Sequence, residues 1–440
     1  MQRPCRQRAM SYQDKYPKVR LICKRRIATA VVLLFTCSAI DHAYAQRHWV
    51  GSWAAAQQLV EPRNALPSQD MQDATLRQIV HLSLGGDTLR IQLSNAFGIA
   101  PLHLTNIHIA RPRSAADSAI DPATDKAVTF GGSDGVTIPA GAEFWSDPVP
   151  FPAPPLSDLA ISIHYDLPPQ GETGHPGSRA TSYFVHGNAV AVPNLPNASK
   201  VEHWYQISGV DVATTEKADA VVALGDSLTD GHGTTTNGND RWTDVLARRL
   251  QASPETANIG VLNAGIGGNR VLLDQLGPNA LARFDRDVLA RPGATFLIVL
   301  EGVNDLGMLT RDGEVSPVQH NSLVQDLIRA YGQIVQRAHA RGIFVIGATM
   351  PPYSPSTYYH PGPLNEKDRQ AVNAWIRLPT HFDAVVDFDK ILADPAHPDQ
   401  LLPAYDSGDH LHPSLAGYRA MADALPINLF SRPAQVAHQY

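Results

Sequence analysis

Cysteine is almost missing from this chain. Its 440 residues include three, Cys5, Cys23 and Cys37, and none follows residue 45. Past that point no disulfide, thiol nucleophile or Cys-ligated metal can form. Long apolar runs are equally scarce. The single candidate, Ile27 to Ile40, follows Lys24-Arg25-Arg26 and leads to Ala43-Tyr44-Ala45. This order of basic stretch, short apolar run and small residues reads as a secretory signal peptide over 1–45, too short for a comfortable membrane span. An uncleaved anchor, or a true start nearer Met10, would also account for the long basic segment. A signal peptide implies a secreted or periplasmic protein with no stable membrane anchor after cleavage.

Positive charge is thin too. The first 45 residues hold nine Lys/Arg and two Asp/Glu, leaving 27 basic and 40 acidic residues beyond them, a formal charge of −13. Such a surface repels nucleic acid and anionic headgroups. It suits neutral partners, a small-molecule or polysaccharide ester among them.

What is present changes period part-way along. From Trp49 to Phe184 apolar residues mostly alternate. "TLRQIVHLSL" (75–84) and "TLRIQLSNAF" (88–97) flank Gly85-Gly86-Asp87, which reads as a hairpin. Further short alternating runs predict an all-β sandwich or jelly roll over 46–200. "VPNLPNASK" (192–200) reads as the linker out of it. From about Ala218, short apolar strands (221–224, 259–262, 295–300, 343–349, 384–388) alternate with helical periods, the last helix beginning near Pro413. Five such units over 201–440 predict a parallel sheet covered on both faces, a flavodoxin-like three-layer α/β/α domain.

Ligands of such sheets bind beyond the carboxyl ends of the strands. Four short segments fall there: Gly225-Asp226-Ser227-Leu228, "NAGIGGNR" (263–270), Gly302-Val303-Asn304-Asp305 and Asp409-His410-Leu411-His412-Pro413. In these four blocks, over roughly 218–429, the chain resembles the SGNH, or GDSL-type, serine hydrolases. The resemblance implies Ser227 as nucleophile, His412 as base and Asp409 as the acid orienting it. It implies an oxyanion hole from the N–H groups of Ser227 and Gly268 and the side-chain amide of Asn304, with no metal and no cofactor. "NAGIGGNR" and the β-rich front half are also similar to a subgroup with secreted members described as arylesterases or xylan-associated acylhydrolases.

The chemistry needs these residue types. A serine hydroxyl requires a neutral imidazole to take its proton, and a carboxylate fixes that ring's tautomer. Preorganised donors then meet the negative charge of the tetrahedral intermediate. Other readings stand beside these. Ser227 could merely cap a helix. Asp406 rivals Asp409 but lacks the three-residue spacing to His412. His410 and His412 could be a metal pair, but no third ligand is evident. Asp226 and Asp305 read as holders of the Ser227 and Asn304 loops. Arg270 could meet substrate or pin a loop; Tyr353, Tyr358 and Tyr359 could line a pocket or pack on the surface. Gly131-Gly132-Ser133-Asp134-Gly135 matches a nucleophile elbow but lacks a following helix. Gly265-x-Gly267 begins a dinucleotide fingerprint that Arg270 spoils.

Together these features predict a secreted serine esterase, foremost one removing O-acetyl groups from carbohydrate. A broad arylesterase or lipase-like acylhydrolase is the alternative. A glycan-binding protein with a vestigial hydrolase domain is the reading from another class. The front half would then either bind carbohydrate or brace the active-site rim.

Overall fold

The strand Asp219–Gly225 is apolar along almost its whole length and buried on both faces, as a central strand of a parallel sheet must be. In the computed structural model, which describes residues 48–431, it pairs in parallel with Ile259–Gly265 on one side and Ala294–Leu300 on the other. Phe344–Ala348 and Ala384–Val386 extend the sheet beyond the third strand. The order is second, first, third, fourth, fifth, the flavodoxin-like arrangement. Its helices fall into two contacting groups. Trp242–Gln251 packs with Leu415–Asp423, and Pro317–His339 packs with Pro363–Ile376, as a layer on each face requires. The final helix is capped by Ser414, whose Oγ accepts the Gly417 N–H; Pro413 stands just outside it.

The first half is antiparallel. One sheet contains His48–Ala54, Gly86–Ser94, Val149–Ala153 and Ile207–Thr214; the other contains Ala74–Leu82, Asn106–Ala110, Ser157–Tyr165 and Ser182–His186. Two expectations fail here. The strands around Gly85-Gly86 do not form a hairpin, because Ala74–Leu82 pairs with Ser157–Tyr165 and Gly86–Ser94 pairs with Ile207–Thr214. Each arm finds its partner far along the chain, so the chain turns a corner between sheets instead. Gly85 makes that corner against Ala153, where a Cβ would lie 2.7 Å from the carbonyl oxygen. The segment 192–200 is not a free linker either. Leu195 is buried, and Ser199–Val201 pairs with Ser182–His186.

The antiparallel region continues past residue 200 to Thr214 and shares its core with the parallel sheet. Ser83 Oγ donates to the Ser52 carbonyl at 2.5 Å and accepts the Val261 N–H at 2.8 Å. Arg286 donates to the Gln57 carbonyl at 2.7 Å, and Arg291 to that of Ser208 at 3.0 Å. The described residues, 48–431, fall within one compact unit. Residues 1–45, read as the signal peptide, lie outside the described residues. Among the described residues no helix is long and apolar enough to cross a membrane.

Candidate active site

Where the central strand ends, Asp226 leaves extended geometry and its carboxylate accepts the Leu228 N–H at 3.0 Å, capping the one-turn helix Ser227–Asp230. Ser227 is the first residue of that turn, so its N–H has no intrahelical acceptor. Its Oγ lies 2.9 Å from His412 Nε2. On the far side of the ring, Nδ1 meets Asp409 Oδ2 at 2.6 Å. Asp409 Oδ1 also accepts the N–H groups of Leu411 (2.9 Å) and His412 (2.8 Å) and the Ser407 hydroxyl (3.0 Å). Partial burial works against ionisation of Asp409. The His412 ring and backbone donors outweigh it and hold the carboxyl well below the usual range.

The rival carboxylate is engaged elsewhere. Asp406 Oδ2 lies 2.6 Å from His410 Nδ1, and Oδ1 accepts the Gly408 N–H at 2.8 Å. His410 is thus turned to Asp406 rather than paired with His412 on a cation. His232, Asp409 and His412 could direct three ligand atoms to one point, but Asp409 and His412 already satisfy each other.

Asn304 and Gly268 face the same cavity as Ser227. Gly268 has φ +74°, a left-handed conformation that favours glycine, and a Cβ there would run into Leu276. Asn304 Nδ2 donates to the Asn269 carbonyl at 2.7 Å, leaving its second amide hydrogen, while its Oδ1 accepts from the Tyr359 hydroxyl. Asn269 is itself buried and tied to the carbonyls of Leu276 and Pro278, both at 2.9 Å, and to Arg283 Nε at 3.0 Å. Asp305 accepts the N–H groups of Val271 (2.8 Å) and Leu272 (3.1 Å), so it fixes the loop that carries Gly268. Burial pushes Asp226 up to about 7 and Asp305 to about 6.

Arg270 pins its own loop by donating to the Asp274 carbonyl at 2.7 Å and does not line this cavity. Tyr359 is buried, Tyr358 half-exposed, and both line the cavity; Tyr353 packs edge-on behind Tyr359, centroids 6.2 Å apart. Ser133 sits in a turn braced by Asp147, with no helix after it.

Several site residues come from outside the four blocks. The cavity, about 560 Å³, is walled on one side by Gln58, Glu61, Asn64, His175, Arg179 and His203 of the antiparallel half. His175 Nε2 lies 2.9 Å from Asp230 Oδ1, and its Nδ1 faces the Ala56 carbonyl at 2.8 Å, so both ring nitrogens meet acceptors. The His232 ring lies over His412, centroids 4.0 Å apart. Burial of its covered face, then His412 and Arg179, pushes His232 down to about 4, so it stays neutral beside the base. In the sequence His175 and Arg179 stand in a glycine- and proline-rich stretch (171–180), and nothing there shows that they reach Ser227.

No curated protein matches the chain. Among solved structures it is similar to a GDSL-like lipase from Bacteroides thetaiotaomicron, at 19% identity over 47% of this chain and 85% of that one, TM-score 0.34. It is similar to an aryl esterase of M. smegmatis, at 18% identity over 49% of this chain and 99% of that one, TM-score 0.37. The acetyl xylan esterase AlAXEase matches at 18% identity over 47% of this chain and 96% of that one, TM-score 0.34. The GDSL-like Lipase/Acylhydrolase family model matches residues 223–420, which contain all four blocks. That segment is similar to the GDSL-like lipases and acylhydrolases, and the match supports a carboxylic ester hydrolase.

Proposed function

We propose that the chain is an exported serine esterase that removes short acyl groups, foremost O-acetyl, from carbohydrate. The observation that carries the reading is the continuous relay Ser227 Oγ, His412, Asp409, opening into a cavity of about 560 Å³. Ser227 attacks the ester carbonyl as His412 Nε2 takes its proton. Asp409 keeps Nδ1–H in place and stabilises the imidazolium. The Ser227 and Gly268 N–H groups and the free Asn304 amide hydrogen receive the oxyanion. His412 then protonates the leaving alcohol, and water activated by the same imidazole releases the acid from the acyl-enzyme.

The polar side chains Gln58, Asn64 and His203 around the relay support a sugar as the alcohol half. The M. smegmatis neighbour is titled an aryl esterase and AlAXEase an acetyl xylan esterase; neither likeness decides the substrate. A second reading, a broad acylhydrolase for longer chains, draws on a further hollow of about 540 Å³ that shares Gly268, Leu276, Tyr358 and Tyr359 with the cavity and adds Met308. The test is a p-nitrophenyl ester series from acetate to octanoate beside acetylated xylan, with wild type and Ser227→Ala. Acetate should be the best chain length, acetylated xylan should lose acetate, and Ser227→Ala should abolish both. Preference for octanoate would select the second reading.

A further inference from the structure

Every carboxylate facing the catalytic cavity has a partner. Glu61 accepts from Asn64 at 2.8 Å and Gln58 at 3.2 Å, Asp230 is held by His175, and Asp409 by His412. The arginines are different. Among the described residues neither Arg63 nor Arg179 has a carboxylate within ion-pair distance, and both line the cavity. Arg179 is half-buried. Among the described residues its Nε is buried without a hydrogen-bond partner, and the guanidinium makes one hydrogen bond, from an NH2 group to His232 Nδ1 at 3.3 Å. That bond leaves the His232 Nε2 carrying the ring hydrogen, and His232 lies against His412.

The segment holding Arg179 is rigid. Gly177 packs so closely on Asp230 that no Cβ would fit. The Arg179 carbonyl accepts the Asn237 N–H at 2.8 Å, and Arg241 donates to the Ser178 carbonyl. A planar cation held this way, with donors unspent, is built for a planar anion. It stands out locally against an otherwise acidic chain.

We propose that Arg179, aligned by His232, is a carboxylate-recognition residue of the cavity, and that the preferred ester carries a carboxylate near the scissile bond, as an O-acetylated uronic acid does. This rests on the esterase reading above and names its substrate class.

The experiment compares kcat/KM for 4-acetoxybenzoate and for its methyl ester, which share acyl group and ring and differ in the charge. Wild type should favour the carboxylate by about tenfold or more. Arg179→Met should bring that ratio to about one, and Arg179→Lys should restore part of it. Titrating Ser227 with an organophosphate gives the fraction of intact sites in each variant. A wild-type ratio near or below one, or a ratio unmoved by Arg179→Met, would overturn the carboxylate subsite while leaving the esterase reading intact. If wild type hydrolysed neither ester, the esterase reading would fall and the subsite with it.

Discussion

Tyr359 donates its hydroxyl hydrogen to the side-chain oxygen of Asn304. With Asn269 holding one amide hydrogen from the other side, the plane of the Asn304 amide is fixed, which leaves its remaining N–H for the oxyanion of the proposed reaction. The two residues are 55 positions apart, and the tyrosine belongs to no recognised block.

Asn304→Ala should therefore lower kcat about 10²–10³-fold with KM little changed, as loss of one oxyanion donor does elsewhere. Tyr359→Phe keeps the ring's packing and removes only the restraint, so it should lower kcat by roughly tenfold, again without a matching rise in KM. Steady-state kinetics on p-nitrophenyl acetate separates the two parameters. A purely structural tyrosine would instead lower the melting temperature and leave kcat per titrated site unchanged.

Ser227→Ala should reduce kcat by roughly 10⁵–10⁶-fold. Asp409→Asn frees the tautomer that Asp409 selects and should cost up to about 10⁴-fold. Both proteins should retain the wild-type circular dichroism, since neither side chain is part of the core.

Ser83 Oγ links the two halves through Ser52 and Val261. Ser83→Ala leaves the buried Val261 N–H unsatisfied, while the Ser52 carbonyl keeps the backbone N–H of residue 83; the change should cost about 1–3 kcal/mol. Urea unfolding should show one cooperative transition moved to lower concentration. Removing residues 47–197 should abolish hydrolysis even of simple esters, because that segment supplies a cavity wall as well as shared core. Small-ester activity surviving the deletion would support an independent glycan-binding role for the front half.

Asp226 is raised to about 7 by burial, helped by Asp305 and opposed by its capped N–H. Its ordinary value lies near 4. Below that value both folded and unfolded states hold the proton and it has no effect. Between there and about 7 only the unfolded chain has released it, so the group increasingly favours unfolding as pH rises. Asp226→Asn preserves a capping oxygen and removes this penalty. The melting temperature of the variant relative to wild type should be higher at pH 8 than at pH 4.5, measured by calorimetry.

The parallel sheet and the residues at its rim were legible because each uses a local code. Buried strands read as apolar runs, and Ser227, Gly268, Asn304 and His412 each stand in a short block at a strand's end. The misread hairpin at Gly85-Gly86 shows where local codes stop. Gly-rich punctuation announces a turn, but which strand each arm then joins depends on partners such as Ser157–Tyr165 and Ile207–Thr214, far along the chain. His175 and Arg179 were hidden for the same reason, and the sequence left Tyr359 open between a pocket and the surface. His175 reaches Asp230 only through the tertiary fold, and the turn-rich stretch around it carries no trace of that.

The wall built by residues 58–64 and 175–179 has one more implication. On the proposed reading, one wall of the cavity is written on a stretch of polypeptide separate from the reacting residues, so the choice of ester can drift through changes in that stretch while the acyl-transfer apparatus stays as it is. Exchanging those two short segments between relatives would be the direct way to move selectivity without rebuilding the enzyme.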